Sequence, residues 1–310
     1  MKYQFKEHLP PVALGVLLAV IFMLGAGIFA PAAREPGVEL ADVPFYRLPF
    51  GPDAEGRVRP FWPSRLQTEN GRFADPASIR SATRCAACHQ REFEEWAPSL
   101  HAIADRDAIY ERAVKANEAL HRDGAEKARF CEGCHAPGEV LSGRTNRFKS
   151  VMPSEAATEG ITCVICHTAV HADPLEGNGA LTLALNTGVD GLSDAMILAA
   201  PRDHARAFGA EKTNALIAGA DFCGGCHTEA YDASMSKAAS RQHVQTTFTE
   251  WQGSWYAQNG VTCQDCHMAP DPAAYVRQVR AGDLSKPARY THNFVGSNYL
   301  MFDTSLGSNL

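Results

Sequence analysis

All ten cysteines of this 310-residue chain fall in pairs separated by two residues, and a histidine follows each second cysteine. The five motifs are Cys85/Cys88/His89, Cys131/Cys134/His135, Cys163/Cys166/His167, Cys223/Cys226/His227 and Cys263/Cys266/His267. Cys-x-x-Cys-His is the attachment pattern of c-type haem. Two thiols add to the vinyl groups of one porphyrin, and the adjacent imidazole coordinates its iron. A zinc site would not need a histidine after every second cysteine, and a dithiol redox pair would occur once. Five repeats with no cysteine left over predict five covalently attached haem c groups, with His89, His135, His167, His227 and His267 as the proximal iron ligands.

Each iron has a second axial position to fill. Of the twelve histidines, five belong to the motifs and His8 precedes an apolar segment. The candidates that remain are His101, His121, His171, His204, His243 and His292. In most proteins a lone histidine is a surface or core residue, but five metal centres served by a short chain reverse that expectation. Most irons should be bis-histidine, which keeps potentials low, whereas a methionine ligand would raise one. Met152, Met196, Met235, Met268 and Met301 read better as apolar packing on porphyrin. His121 is the weakest candidate. It lies one residue past the apolar stripe Ile109, Ala113, Ala116 and Leu120 of a predicted helix, about 120° round from Ile109 on the flank of Tyr110 and Val114. His171 follows His167 by four residues. If that turn is helical the two project from the same side, so His171 is either idle or a clip to a different haem.

The elements that must hold these groups are mainly helical. The stretch "DRDAIYERAVKANEAL" predicts a helix capped by Asp105 or Asp107 and ended or interrupted near Gly124. A second helix is expected from Glu211 to Ala218 and a third from about Ala230 through Trp251. Valine and isoleucine are too scattered for a substantial sheet. From Cys85 to Leu310 the chain offers about 45 residues per motif, too few for a closed pocket around each haem. The haems must pack on one another. The expected fold is therefore mainly α with much irregular loop and little β, a multihaem cytochrome c fold wrapped around a packed haem stack.

Three segments are expected. Residues 1–33 carry Lys2, Lys6 and the uncharged apolar run Val12 to Ala30, which suits a membrane anchor with a cytoplasmic N-terminus, or else a cleaved signal peptide. Residues 34–76 form a Pro-rich tether or strap whose aromatics, Phe45, Tyr46, Phe50, Phe61 and Trp62, argue for an apolar neighbour. Residues 77–310 form the pentahaem domain. Haem attachment outside the bacterial cytoplasm places that domain in the periplasm, at the inner membrane, or soluble in the periplasm or outside the cell if the N-terminus is cleaved. The formal charge of −6 and the absence of a basic run exclude a phosphate-tracking nucleic-acid binder. A redox partner with a basic docking patch fits better.

These residues carry a family likeness. "CAACHQREFEEWAPSLHAIA" resembles the C-x2-C-H, aromatic, W-x2-S-x-H opening of multihaem cytochromes related to the tetrahaem cytochrome c-554 of ammonia oxidisers. "EGITCVICH", "FTEWQGSWYAQNGVTCQDCHMAP" and "THNFVGSNYL" look like further elements of that group. The resemblance implies that His101, His171, His204, His243 and His292 are distal ligands to haems other than the nearest in sequence, with Trp96 and Trp251 packed beside the stack. The likeness covers about Ala77 to the C-terminus and leaves the anchor and tether outside it. The leading reading of the whole chain is a membrane-anchored, periplasm-facing electron-transfer protein working between redox partner proteins rather than as an enzyme. The alternative is a reductase or oxidase of a small nitrogen or sulfur compound at one five-coordinate haem. The pentahaem nitrite reductases usually show CxxCK, and all five motifs here end in histidine. A quinol-oxidising subunit would hold its first haem against the bilayer, but about 54 residues separate Ala30 from Cys85.

Overall fold

Two cysteines three residues apart and a histidine one further on share a side only if the backbone makes a helical turn. Each of the five motifs does so. The computed structural model describes residues 61–120, 124–143, 159–185, 198–202, 210–231 and 242–296, all in the compact unit that begins at Glu39. The expected anchor, Val12 to Ala30, lies outside the described residues. Among those described, no helix is long and apolar enough to cross a membrane.

In chain order the helices are α1 (Ala82–Ala86), α2 (Gln90–Trp96), α3 (Ala108–Leu120), α4 (Gly124–His135), α5 (Pro137–Leu141), α6 (Cys163–His167), α7 (Ala210–Ile217), α8 (Ala220–Gly224), α9 (Thr247–Gln252), α10 (Trp255–Gln258), α11 (Cys263–His267) and α12 (Pro272–Arg280). Strands are few among the described residues: β1 (Gln67–Thr68), β2 (Ala169–Ala172), β3 (Leu181–Leu183), β4 (Glu229–Tyr231) and β5 (Gln242–Gln245). β3 is central in a three-stranded sheet, parallel to β1 and antiparallel to β2. β4 and β5 form an antiparallel pair. The fold is mainly helical with much loop and little strand.

Among the described residues four apolar clusters form the core. The largest joins Phe61, Leu66, Phe73, Ile79, Leu141, Val164, Ile165, Leu181 and Leu183 with their neighbours, so the segment from Phe61 onward is packed into the domain. Phe61 and Phe73 meet edge to face at 5.4 Å. The others are smaller, built around Tyr275 and Val279, around Trp96 and Ala102, and around Tyr110 and Val114. Each cluster has a motif cysteine packed against it: Cys226, Cys266, Cys163 and Cys131 respectively.

Three sequence expectations about the elements change. In α3, Asp107 is the cap, its carboxylate accepting from the N–H groups of Ile109 and Tyr110. The buried face is the Tyr110 and Val114 flank, while Ile109 is 80% exposed. Both flanks carry apolar residues at helical spacing, and the aromatic ring finds a partner in His135. His121, placed by sequence on that buried flank, lies outside the described residues. The helix expected from Ala230 through Trp251 is instead the β4–β5 pair followed by α9. Pairing with β4 sets β5, since only Val244 of its four residues is β-branched and Thr247 already begins α9. Finally, the chain after His167 turns into β2, so His171 sits on a strand opposite Thr182 rather than one helical turn beyond.

Candidate metal centres

Every motif is closed by its own backbone turn. The His89 N–H donates to Cys85 O and the His227 N–H to Cys223 O, both at 2.8 Å. His135, His167 and His267 end α4, α6 and α11. Three of these imidazoles are held from behind through Nδ1. His135 Nδ1 meets Ala104 O at 3.1 Å and His267 Nδ1 meets Val295 O at 2.5 Å. A carbonyl oxygen only accepts, so the proton is on Nδ1 in both and the Nε2 lone pair is left for a metal. The Gln245 amide bonds His227 Nδ1 at 3.3 Å. Tyr110 lies flat on His135, with centroids 4.4 Å apart and planes 3° from parallel.

A metal between two imidazoles sets their ring centroids about 6.4 Å apart, from two bonds of about 2.0 Å and about 1.2 Å from each nitrogen to its ring centre. Two pairs of histidines stand at this separation. His101, which follows the first motif, is 6.2 Å from His227 of the fourth. His292, near the end of the described chain, is 6.3 Å from His167 of the third. The His167 and His292 planes lie 26° apart, yet rings in stacking contact sit closer, as Tyr110 and His135 do. Burial, with His227 and His135 nearby, lowers His101 to about 4, so its ring is neutral, the form that ligates. Burial also lowers His167, with His292 and His89 adding to the effect. It lowers His292 against the opposing carboxylates of Glu95 and Glu92.

The other expected ligands are placed differently. His171 and His243 are exposed on β2 and β5, and among the described residues neither stands opposite a motif histidine. His204 lies outside the described residues. Among those described, no group of three or more His, Cys, Asp or Glu side chains could hold a metal ion by itself. Two imidazoles are what a porphyrin-held iron asks of the chain.

The thiols of different motifs lie side by side, Cys85 next to Cys163, Cys134 next to Cys226 and Cys223 next to Cys263, and the Cys134 thiol donates to Cys226 O at 3.9 Å. α1 packs on α6 and α8 on α11. The attachment points of the first and third motifs therefore abut, as do those of the second and fourth and of the fourth and fifth.

Cys88 stands apart from the other attachment thiols. It is exposed, whereas the other nine cysteines are half-buried. The physical reason is its place in the chain. α1 ends at Ala86, so Cys88 falls in the turn before α2, and His89 beside it is exposed as well. Cys85, inside α1, makes the contact with Cys163 for this motif, and Cys88 belongs to none of the four apolar clusters. The first motif therefore has one inner thiol and one at the surface of the domain.

Two stretches position the motifs by the same device. The indole N–H of Trp96 donates to Ile161 O, two residues before Cys163, and that of Trp251 to Val261 O, two before Cys263, each at 2.9 Å. Phe93 and Phe248 tilt against these indoles at 43° and 42°. The Ile161 N–H donates to His101 O at 2.8 Å, and the Val261 N–H to Tyr256 O at 2.9 Å. "FEEWAPSLH" with "GITC" and "FTEWQGSWY" with "GVTC" are thus one structural unit used twice, and Tyr256 occupies the place of His101.

Further positioning residues carry no metal-ligand signature in sequence. Asn178, 2% exposed at φ 57°, bonds Ala230 through both amide atoms at 2.9 Å. Its backbone also ties Arg65 and Thr228, which pins the fourth motif to the sheet. Asp265 lies inside the fifth motif, with its side chain inaccessible to solvent. It accepts from Lys286, from the Tyr290 hydroxyl at 2.7 Å and from the Thr262 N–H at 2.7 Å. Burial alone would raise its carboxyl, but these three donors together hold it below the usual carboxylate range. They tie the segment that carries His292 to the fifth motif. The Thr291 N–H also donates to Met268 O, and the Val295 N–H to His267 O.

Residues 84–168 match the family model "Cytochrome c554 and c-prime", a span that holds the first three motifs. Among solved structures the chain is similar to a penta-heme cytochrome c552 from Thermochromatium tepidum, at 21% identity and a TM-score of 0.45, over 72% of this chain and 58% of that one. The chain thus spans less than two thirds of the length of that protein. No match is found among curated proteins. The match over residues 84–168 and the five attachment motifs support a multihaem c-type cytochrome.

Proposed function

We propose that the protein relays electrons between redox partner proteins along five covalently attached haem c groups, most of them ligated by two histidines. Each bound haem iron supplies a one-electron ferric–ferrous couple. The chain sets axial ligation, spacing and burial. The observation that carries the reading is the pair of cross-motif imidazole couples, His101 with His227 and His167 with His292, each at the separation one iron requires. A histidine at both faces leaves no position for a substrate at those two irons. The thiol contacts between motifs add to this, because abutting attachment points imply porphyrins close enough for transfer. The haem domain faces the periplasm, and the apolar run Val12 to Ala30 tethers it to the inner membrane.

Low-temperature electron paramagnetic resonance of the purified holoprotein tests the reading. Five haems per chain by pyridine absorbance, all low-spin and unchanged by cyanide or nitric oxide, are expected. A high-spin iron that binds nitric oxide would refute it and favour an enzyme.

A further inference from the structure

The segment that presents His292 is tied to the fifth motif on either side of that residue, and at His292 itself a further carboxylate, from the helix after the first motif, takes hold of the backbone and faces the imidazole. Glu95 lies on α2, which begins immediately after His89 of the first motif. Its Oε2 accepts the His292 backbone N–H at 2.9 Å, and its Oε1 accepts from the Arg289 guanidinium at 2.9 Å. The same Oε2 stands 4.0 Å from His292 Nδ1, a nitrogen that is buried and has no hydrogen-bond partner. Three motif histidines have a neutral acceptor or an amide behind Nδ1. His292 instead has an anion nearby.

We propose that Glu95 is a positioning and potential-setting residue for the haem held between His167 and His292. This rests on the ligand pairing proposed above. Its first role is mechanical. The segment from Arg289 to His292 is irregular, so no helix or strand ladder fixes the ring. The two hydrogen bonds to one carboxylate hold the backbone where the imidazole reaches across to His167. The second role is electrostatic. A negative charge close to an axial imidazole makes the ligand a better donor and stabilises the ferric iron over the ferrous. Arg289 offsets part of this charge, but it lies on the far oxygen of the carboxylate. The oxygen facing His292 is the one its own backbone N–H holds in place. The side chain is 13% exposed, so water screens it weakly.

The test uses the haem-loaded full chain and begins with H292A, which should abolish one low-spin signal and so identify the haem to be followed. If H292A leaves every low-spin signal intact, the ligand pairing falls and the role of Glu95 falls with it. Glu95→Gln keeps an acceptor for the His292 N–H and removes the charge. That haem should stay low-spin while its reduction equilibrium moves tenfold toward ferrous, an upward shift of about 59 mV for a one-electron couple. Glu95→Asp keeps the charge and should move the equilibrium less than threefold. Glu95→Ala removes the clamp, and a high-spin fraction should appear at the same haem. The proposal is overturned if H292A removes the signal but E95Q leaves the potential unchanged. It is equally overturned if E95D shifts the potential as far as E95Q does. If E95Q fails to load haem, the E95D potential and the E95A spin state decide between these outcomes.

Discussion

Replacing Gly160 with alanine should detach His101 from the haem proposed to lie between it and His227. A β-carbon at residue 160 would meet His101 O at 2.4 Å and Ala104 N at 2.7 Å, both backbone atoms. Neither can swing aside as a side-chain tip could. Ordinary contact needs about 3.4 Å, so the His101 segment must retreat by about 1 Å, and overpacking of this kind costs roughly 1–3 kcal/mol. A metal–imidazole bond tolerates only about 0.2 Å, so a retreat of that size breaks it. Gly260, the equivalent residue of the second unit, is the control. Its β-carbon would touch nothing within 4 Å, but its φ is +70°. Gly260→Ala should therefore cost about 1–2 kcal/mol of left-handed strain and leave every iron ligand in place. Thermal unfolding and low-temperature electron paramagnetic resonance of both holoproteins separate the effects. G160A should show one high-spin haem and G260A none. The reasoning fails if G160A keeps all its low-spin signals and loses no more stability than G260A.

Trp96→Phe and Trp251→Phe each delete one indole hydrogen bond to the turn that precedes a motif. Both should lower stability by roughly 1–3 kcal/mol in thermal melts, and unequal losses would argue against the two units being equivalent. Asp265→Asn keeps the shape of the fifth-motif cap but removes the charge that Lys286 and Tyr290 contact. Lys286 is half exposed, so its stranded charge can be solvated, and a loss of about 1–3 kcal/mol is expected. A variant melting within a degree of the parent would show that the network contributes little.

The turn that each motif makes was legible in the sequence because it is local: thiol, thiol and imidazole fall within one helical turn. How deeply each thiol lies was not, and Cys88 shows why: five identical motifs read alike, while packing between α1 and α6 draws only Cys85 inward. The pairing of histidines was equally hidden, since His101 meets His227 and His167 meets His292 only after distant segments fold together. Counting histidines could nominate both His101 and His292 without saying which motif each would face. The error at α3 has a similar root. Ile109 and Tyr110 begin two apolar stripes of the same period, and only the flat contact of Tyr110 on His135 decides between them. The helix expected over Ala230 to Trp251 failed where β5 finds its partner in β4, a tertiary pairing that local propensity does not contain. Glu95, Asp265 and Asn178 resembled ordinary surface polar residues. One signal was available for the positioning machinery: "FEEW" with "GITC" and "FTEW" with "GVTC" repeat the same letters around the third and fifth motifs. That repetition marks the unit that aims each motif, and the change from His101 to Tyr256 marks where it lacks a ligand.

The division of the core explains why the metal sites and the stability of this fold are one problem. Three of the four apolar clusters bury only two to four side chains. Burial of that size offsets only a small part of the conformational entropy of the segments around it. None of these clusters could order its surroundings alone. Each has a motif cysteine at its edge, so a porphyrin attached there extends the cluster with a large apolar plate. The thiol contacts place such plates against one another between clusters. The contacts that complete the core are then the same contacts that bring the irons near each other. A variant that loosens the packing between two motifs should therefore lose stability and conduction together. One that changes only the charge at a ligand, as at Glu95, should change the potential alone.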